Sequence, residues 1–488
     1  WKEIRSWVPE DKKILPQGKG PYLRAQIEKS GTEIIEGVMI TELLEKDGKI
    51  IGAIGIPRDQ DKAIVFRAGA VVLCTGAGTF KSPGWPASPN TFDGHIMAYK
   101  AGAVIAGKEW NDFHMTNTRA PSDTWGNCGG AFASQISSPT SPEAHSMRQL
   151  FWSTHDGVPP GGPKLPPPPQ GAAPHPTDAP AQVGSLMDSM DSNKDGKVSL
   201  PEFGSAPPVF EKFDTNRDEY LQAGELPEQM PRSGPGSNGP EVVGAALGAA
   251  EHRMDGIFPK DDQCWSGLDG LYAAGDAMCT GGVGTAGSSS PGCAVQGARA
   301  GINAAAYAKQ TKRVKLSNAE INKVQERIFA PRSRETGYSP QWVTSALRNI
   351  MTPYYVLYVK RQDRLEAALT NVNYLKEHFL PRLIAKDIHE LRLAVETENM
   401  VINAEMKLRA SLFRKESRHS HFREDYPFRD DKNFLSFVVL KKDGDKMDVS
   451  KWDIPQKWIP QTLAAMPYEE RYSDRYPGEA EYLKKHKI

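Results

Sequence analysis

Residues 270–301 read GLYAAGDAMCTGGVGTAGSSSPGCAVQGARAG, and the rest of the chain is arranged around them. A short apolar run, Leu271 to Ala274, stops at Gly275 and an acid, Asp276. The chain then passes through seven glycines and serines between Gly281 and Ser290 and enters a small-residue helix carrying Ala294, Gly297, Ala300 and Gly301. Small residues let backbone approach backbone or a flat ligand, and a carboxylate at the tip of a buried strand can accept hydrogen bonds from sugar hydroxyls. The stretch therefore reads as part of a cofactor site. The same residues also fit a plain Gly/Ser loop after a strand.

At 488 residues the chain is long enough for two to four domains, each with its own core. Sixty basic and sixty acidic residues cancel, so bulk charge gives no argument for nucleic acid. No run approaches the roughly eighteen apolar residues of a membrane helix. A soluble or peripherally bound chain is expected, the cytoplasm being favoured over the periplasm. The five cysteines (74, 128, 264, 279 and 293) lie far apart with no C-x-x-C, which suits neither a disulfide framework nor an iron–sulfur or zinc site.

Upstream, residues 20–72 read as α/β. Pro21–Ser30 has helical spacing, Thr32–Thr41 and Ile50–Ile56 look like strands, and Asp47-Gly48 between them is a hairpin turn. Ala68–Leu73 is a continuous apolar run, as in a strand buried on both faces, stopped by Cys74-Thr75-Gly76-Ala77-Gly78. Those glycines allow a turn tight enough for a phosphate or a ring to touch the main chain.

Two proline spacers, Val158–Gln170 and Pro231–Pro240, enclose a separate unit. Within it, Asp191, Asn193, Asp195, Lys197, Ser199 and Glu202 fill the EF-hand template: oxygens at loop positions one, three, five and nine, a carbonyl at seven, Gly196 at six, and a closing glutamate. A second loop, with Asp214, Asn216, Asp218, Tyr220 and Glu225, has Glu219 where glycine belongs and Ala223 at position nine. Calcium is the expected ion, weaker in the second loop, and a structural role is favoured over a regulatory one. A short shared helix is expected around Pro208–Phe213.

Beyond Ala306 the chain turns helical. Helices are expected from Ser339 to Met351, over Val359–His378 and over Ala385–Arg414, followed by a dense basic cluster, FRKESRHSHFREDYP, at 413–427. The cluster is either a solvated helix end or a set of groups that attract an anion or brace a domain contact.

GLYAAGD with its Gly/Ser loop and GARAG helix resembles the closing FAD segment of the fumarate reductase/succinate dehydrogenase flavoprotein superfamily. Other segments keep the order of that family: AGAVVLCTGAG at 68–78 is similar to A-x-x-V-V-L-A-T-G-G, and TFDGH at 91–95 to T-G-D-G-H. MAYKAGA at 97–103 resembles M-A-x-x-A-G-A, and EWNDFHMT at 109–116 resembles E-F-x-Q-F-H-P-T. HRMDGI at 252–257 resembles H-x-M-G-G-I, with Asp255 in place of the first glycine. The ESR-x-x-H-x-R-x-D-Y-P pattern is that of the superfamily's C-terminal part, and the DIHEL helix is closer to adenylylsulfate reductase alpha subunits.

The resemblance implies an α/β fold with an FAD-binding Rossmann-like domain, an inserted cap holding the EF-hand pair, and a C-terminal helical bundle. The expected parts are 1–116 and 249–310 for the FAD domain, 117–248 for the cap with EF-hands at 184–230, 311–435 for the helical domain, and 436–488 as an extended tail. The G-x-G-x-x-G opening of such flavoproteins is not found in the first sixty residues, so the N-terminal βαβ unit is expected to be missing from this sequence. Thr75, Gly76, Asp93, Asp276, Ser289 and Ser290 would contact FAD. His114, Thr116 and His252 would face substrate, joined by Arg418 and His421 as further catalytic candidates.

Two family arginines, in R-G-E-G-G and H-G-A-N-R, have no counterpart here: Cys128-Gly129-Gly130 lacks the preceding arginine, and Gly284 holds the other place. Without those guanidinium forks a dicarboxylate loses its main anchors, so another small, anionic substrate is expected rather than succinate or fumarate. A ferredoxin-like iron–sulfur subunit is implied as the electron-transfer partner, in an assembly that could lie peripheral to a membrane complex. Two alternatives stay open: a non-catalytic, calcium-stabilised binding or assembly subunit on a flavoprotein fold, and an oxidase-like enzyme without a cluster partner.

Overall fold

A computed structural model describes residues 19–81, 90–111, 195–199, 214, 216–222, 225, 255–279, 289–357, 359–418, 421–458, 481 and 484–485. Helix α1 (Lys19–Lys29) precedes an antiparallel sheet of β1 (Val38–Lys46), β2 (Lys49–Pro57) and β3 (Ile64–Arg67), in that order. Asp47 and Gly48 have φ of 52° and 76°, the two positive values of a type I′ hairpin turn. The turn sets the register from Lys46 opposite Lys49 to Val38 opposite Pro57. The strand expected from Thr32 thus starts at Val38 instead. Its partner ends at a proline, which has no N–H to prolong the ladder; one bond remains beyond, from Arg58 N–H to the Gly37 carbonyl at 2.8 Å.

Next come β4 (Val71–Leu73), α2 (Asp93–Lys100), β5 (Ile105–Ala106), β6 (Val198–Ser199), β7 (Tyr220–Leu221), β8 (Gly256–Ile257) and β9 (Leu271–Ala273). β4 and β9 pair in parallel, Val71 opposite Leu271 and Leu73 opposite Ala273. The two apolar runs singled out in the sequence are therefore neighbours, although 200 residues separate them. β5 pairs with β8, Ala106 opposite Gly256.

The C-terminal half contains α3 (Ser289–Gln310), α4 (Asn318–Phe329), α5 (Pro340–Met351), β10 (Val359–Lys360), α6 (Gln362–Tyr374), α7 (Ile388–Phe413), β11 (Phe422–Arg423), β12 (Ser436–Asp443) and β13 (Lys446–Asp453). Side-chain caps start three of these helices. Ser317 forms a capping box with Glu320 on α4, Ser339 accepts from the Trp342 N–H on α5, and Asp387 accepts from the Glu390 N–H on α7. A π-helical turn, Leu375–Phe379, follows α6. α7 packs against α5 and α6 on one side and against α2 and the β12–β13 hairpin on the other. It is accordingly buried on several faces, through Leu391, Met400, Val401, Met406 and Leu408. Each such side chain contributes about 1.5–3 kcal/mol when fully buried, which makes α7 the axis of the core.

The tail expected to be extended from residue 436 instead begins as a hairpin. β12 and β13 pair from Ser436–Asp453 to Asp443–Lys446, and β12 joins β5, giving a four-stranded sheet in the order β13-β12-β5-β8. Alternating burial along β12, with Ser436, Val438 and Leu440 inward, and Gly444 at φ 56° in the turn are the reasons.

Candidate functional site

The carboxyl ends of β4 and β9 put two glycine turns side by side, at the edge where parallel α/β sheets receive ligands. On one turn Gly76 has φ 73°, and on the other Gly275 has φ 67°. The Ala274 N–H donates to the Leu73 carbonyl at 3.0 Å, tying the turns together. Thr75 lies against the start of α2 so closely that a Cβ at Gly94 would come within 2.0 Å of its Oγ1. α3 closes the second turn: Gln296 Oε1 accepts from the Gly275 N–H at 2.9 Å, and a Cβ at Gly275 would meet Cys293 Sγ at 3.3 Å. Ser289 and Ser290 are the first two residues of that helix. Asp276 stands in the 3-10 turn Gly275–Ala277 directly after β9.

Asp93 opens α2. Its Oδ1 accepts from Thr91 Oγ1 at 2.9 Å and from Asn399 Nδ2 at 2.7 Å, which fastens α2 to α7. Burial pushes this carboxyl above its usual range, against the pull of those two donors.

Behind the two turns lies a buried group that the sequence did not single out. Lys108, His95 and Asp255 are all 0% exposed. Lys108 Nζ is 2.9 Å from Asp255 Oδ2 and 2.8 Å from His95 Nδ1, and it sits over the Phe92 ring at 4.7 Å. His95 Nε2 faces the Asp276 carbonyl at 3.4 Å. Burial and then the Lys108 charge hold His95 well below its ordinary value, while burial lowers Lys108 and Asp255 works against that. The one available signal was Asp255 standing where the resembled motif has glycine: a buried acid needs a partner.

The basic cluster at 413–427 is turned inward. Arg414 bridges Glu109 at 2.8 Å and Glu416 at 2.6 Å, all three wholly buried, and lies over the Trp110 ring at 4.9 Å. Arg418 binds Glu416 at 2.8 Å and also pairs with Asp431. His421 is wholly buried, its Nδ1 3.1 Å from Lys360 Nζ and its Nε2 3.1 Å from the Arg414 carbonyl. Burial, then the neighbouring Lys360 and arginine charges, keep it well below the ordinary histidine value. Two more buried lysines, missed in the sequence, hold the turn at residues 108–110 that follows β5. Lys360 donates to the Glu109 carbonyl at 2.6 Å, and Lys407 donates to the carbonyls of Lys108 at 3.0 Å and Trp110 at 2.7 Å.

His114, Thr116 and His252 themselves lie outside the described residues, as do Asp191, Asn193 and Glu202 of the first expected EF-hand loop and the helix expected at 208–213. The parts of the loops that are described come together. β6 and β7 pair antiparallel at Val198–Leu221 and Ser199–Tyr220, with Val198 and Leu221 0% exposed; both occupy position eight of their loops. In the second loop, oxygens of Asp214, Asp218 and Glu225 lie within 4.8 Å of one another, close enough to share one ion at calcium–oxygen distances of about 2.3–2.6 Å. Asp214 accepts from the Asp218 and Glu219 N–H groups, Asn216 from the Asp218 N–H, and Asp218 from the Tyr220 N–H. Asp195 accepts from the Lys197 N–H at 2.9 Å. Glu219, in the glycine position, takes φ 66°.

Residues 344–472 match the family model described as fumarate reductase flavoprotein C-term. The chain is 28% identical over 422 residues to one of the subunits of the CoM/CoB fumarate reductase of Methanothermobacter marburgensis, covering 83% of this chain and 70% of that protein. It is also similar to the solved structure of Mycobacterium smegmatis Sdh1 in complex with UQ1. The TM-score is 0.63 at 21% identity, with 94% of this chain and 75% of the other covered. Adenylylsulfate reductase of Archaeoglobus fulgidus gives a TM-score of 0.53 at 21% identity, over 86% and 72% of the two chains. The fold is the mixed α/β flavoprotein fold of fumarate reductases and succinate dehydrogenases with a helical C-terminal part. These relatives are oxidoreductases. Among the described residues no helix is long and apolar enough to cross a membrane.

Proposed function

We propose that this chain is the flavoprotein subunit of an FAD-dependent oxidoreductase, exchanging two electrons between a small anionic substrate and a separate iron–sulfur subunit. The observation that carries the reading is the parallel pairing of β4 with β9, which brings Thr75-Gly76 and Gly275-Asp276 to one edge. The glycine turns leave room for main chain to approach a flat ligand, and Asp276 offers an acceptor for ribose or ribityl hydroxyls. Thr75, Gly76, Asp93, Asp276, Ser289 and Ser290 are the residues assigned to FAD. Bound there, FAD supplies two-electron chemistry that no side chain offers.

His114, Thr116 and His252 are assigned to the substrate. The support is the pairing of β5 with β8, Ala106 opposite Gly256, which makes neighbours of the described residues that precede His114 and follow His252 in the sequence. Arg418 and His421 act as braces of the C-terminal part, since their polar groups are taken up by Glu416, Asp431, Lys360 and the Arg414 carbonyl. The two missing family arginines argue for an anion other than a four-carbon dicarboxylate. The five dispersed cysteines argue that any cluster sits on a partner chain. In this reading the FAD domain is formed by 1–116 and 249–310, interrupted by the 117–248 cap.

Calcium belongs to the cap. The first loop is assigned Asp191, Asn193, Asp195, Lys197, Ser199 and Glu202, and the second Asp214, Asn216, Asp218, Tyr220 and Glu225. The convergence of Asp214, Asp218 and Glu225 is the support in the structure, and the role is structural. Screening the purified protein for bleaching of a flavin spectrum by candidate donors, then for reoxidation by sulfur oxyanions and other small anions, tests the enzymatic reading. Bleaching by none of them would favour a binding subunit.

A further inference from the structure

We propose that Lys108, Asp255 and His95 form a buried relay of positioning residues that orients the Asp276 turn for the cofactor. The proposal rests on the assignment of FAD to the ends of β4 and β9.

An ammonium can only donate, so the nitrogen of His95 that lies 2.8 Å from Lys108 Nζ, Nδ1, has to accept. A carbonyl can only accept, so the nitrogen facing the Asp276 oxygen, Nε2, has to carry the proton. Two neighbours with one role each therefore select one neutral tautomer, and Asp255, paired with Lys108 at 2.9 Å, favours the charged lysine against the lowering by burial. The chain from Asp255 through Lys108 and His95 to Asp276 is continuous.

The backbone is shaped around it. Gly256 has φ 139°, and a Cβ there would come within 2.9 Å of His95 Nε2 and 2.7 Å of the Ala277 carbonyl. Only glycine lets β8, the imidazole and the Gly275–Ala277 turn share this space. The turn is held further by the Met278 N–H to the Gly275 carbonyl at 3.0 Å, the Cys279 N–H to the Ile257 carbonyl at 2.9 Å and the Gly275 N–H to Gln296 Oε1 at 2.9 Å. His95 supplies the contact to the Asp276 carbonyl itself. Asp255, which replaces a glycine of the resembled motif, thus acts together with Lys108 and not as an isolated substitution.

The test uses the intact protein and two sets of variants. Lys108→Met with Asp255→Asn removes both charges together, which leaves neither one buried and unpaired. His95→Gln keeps an N–H near the position of Nε2, and His95→Phe removes it. The readouts are the FAD dissociation constant, the melting temperature without added FAD, and the imidazole nitrogen shifts of His95 by NMR. The double variant and His95→Phe are expected to bind FAD about tenfold more weakly, on the scale of one hydrogen bond, while His95→Gln stays near the wild type. The wild-type spectrum should show a neutral Nε2–H imidazole from about pH 7.5 down to about 5.5, roughly the window in which a free histidine takes up its proton.

A folded double variant, or His95→Phe, that binds FAD as tightly as the wild type would reduce the group to core packing and overturn the proposal. A His95 found as the Nδ1–H tautomer would also overturn it, whether or not flavin is bound. A wild-type protein that takes up no FAD while showing the Nε2–H tautomer would overturn the cofactor assignment, and the positioning role with it.

Discussion

At the scale of single residues, the site depends on a few groups whose charge state burial has altered. Asp276→Asn keeps the shape of the turn but weakens its acceptor, and it should lower FAD affinity with little change in melting temperature, as titration of the apoprotein would show. Lys108→Met alone is different. It strands Asp255 at 0% exposure, and breaking a buried pair this way costs about 3–5 kcal/mol, which urea unfolding would register as a large drop in midpoint. His95 and His421 set the response to acid. Both are held well below the ordinary 6.5, so the unfolded chain takes up protons that the folded chain refuses. Their contribution to stability is full above pH 6.5 and declines as the pH falls below it. The slope is at most about 1.4 kcal/mol per pH unit for each histidine. Urea midpoints measured from pH 7.5 down to 5.5 should therefore fall, and His421→Gln should flatten the decline. An equal pH response in the wild type and in His421→Gln would contradict the assignment of that ring as neutral.

At the scale of elements, what the sequence made legible was local. The Asp47-Gly48 turn, the Ser339 cap and the apolar spacing of residues 388–413 each carry their signal within a few residues, and the observed hairpin, α5 and α7 follow them. The β12–β13 hairpin was missed although Asp443-Gly444 sits between alternating runs, because Lys441, Lys442 and Lys446 make the turn resemble a solvated tail. The lysines that hold residues 108–110 could not be read at all. Lys360 and Lys407 lie 251 to 299 positions from the carbonyls they bind, and nothing local distinguishes a buried lysine from a surface one. Within the cap, the second loop offers the most direct check at this scale. Glu225 supplies both an oxygen of the three-carboxylate group and acceptors for the Asn216 and Gln222 N–H groups. On the proposed assignment of calcium to both loops, Glu225→Gln should remove the weaker of two binding events from a calorimetric titration with calcium and leave the stronger one in place. Loss of neither event would exclude the second loop as a site.

For the whole molecule, α7 is the common support: it carries Asn399 to Asp93 at the proposed cofactor edge and Lys407 to the turn at residues 108–110 after β5. One core therefore links the β4–β9 pair, the helical part and the closing hairpin, and damage to α7 should be felt at the flavin. The resemblance in the sequence pointed to the flavoprotein fold through linked motifs in order, while the substrate depends on side chains outside the described residues. The central claim is that FAD binds here. The most direct measurement is the visible absorption spectrum of the purified full-length protein before and after acid precipitation. Flavin bands in the blue and near ultraviolet, with the flavin identified as FAD and released into the supernatant or retained on the chain, are the predicted result. A correctly folded protein that is colourless and stays so after incubation with FAD would contradict it.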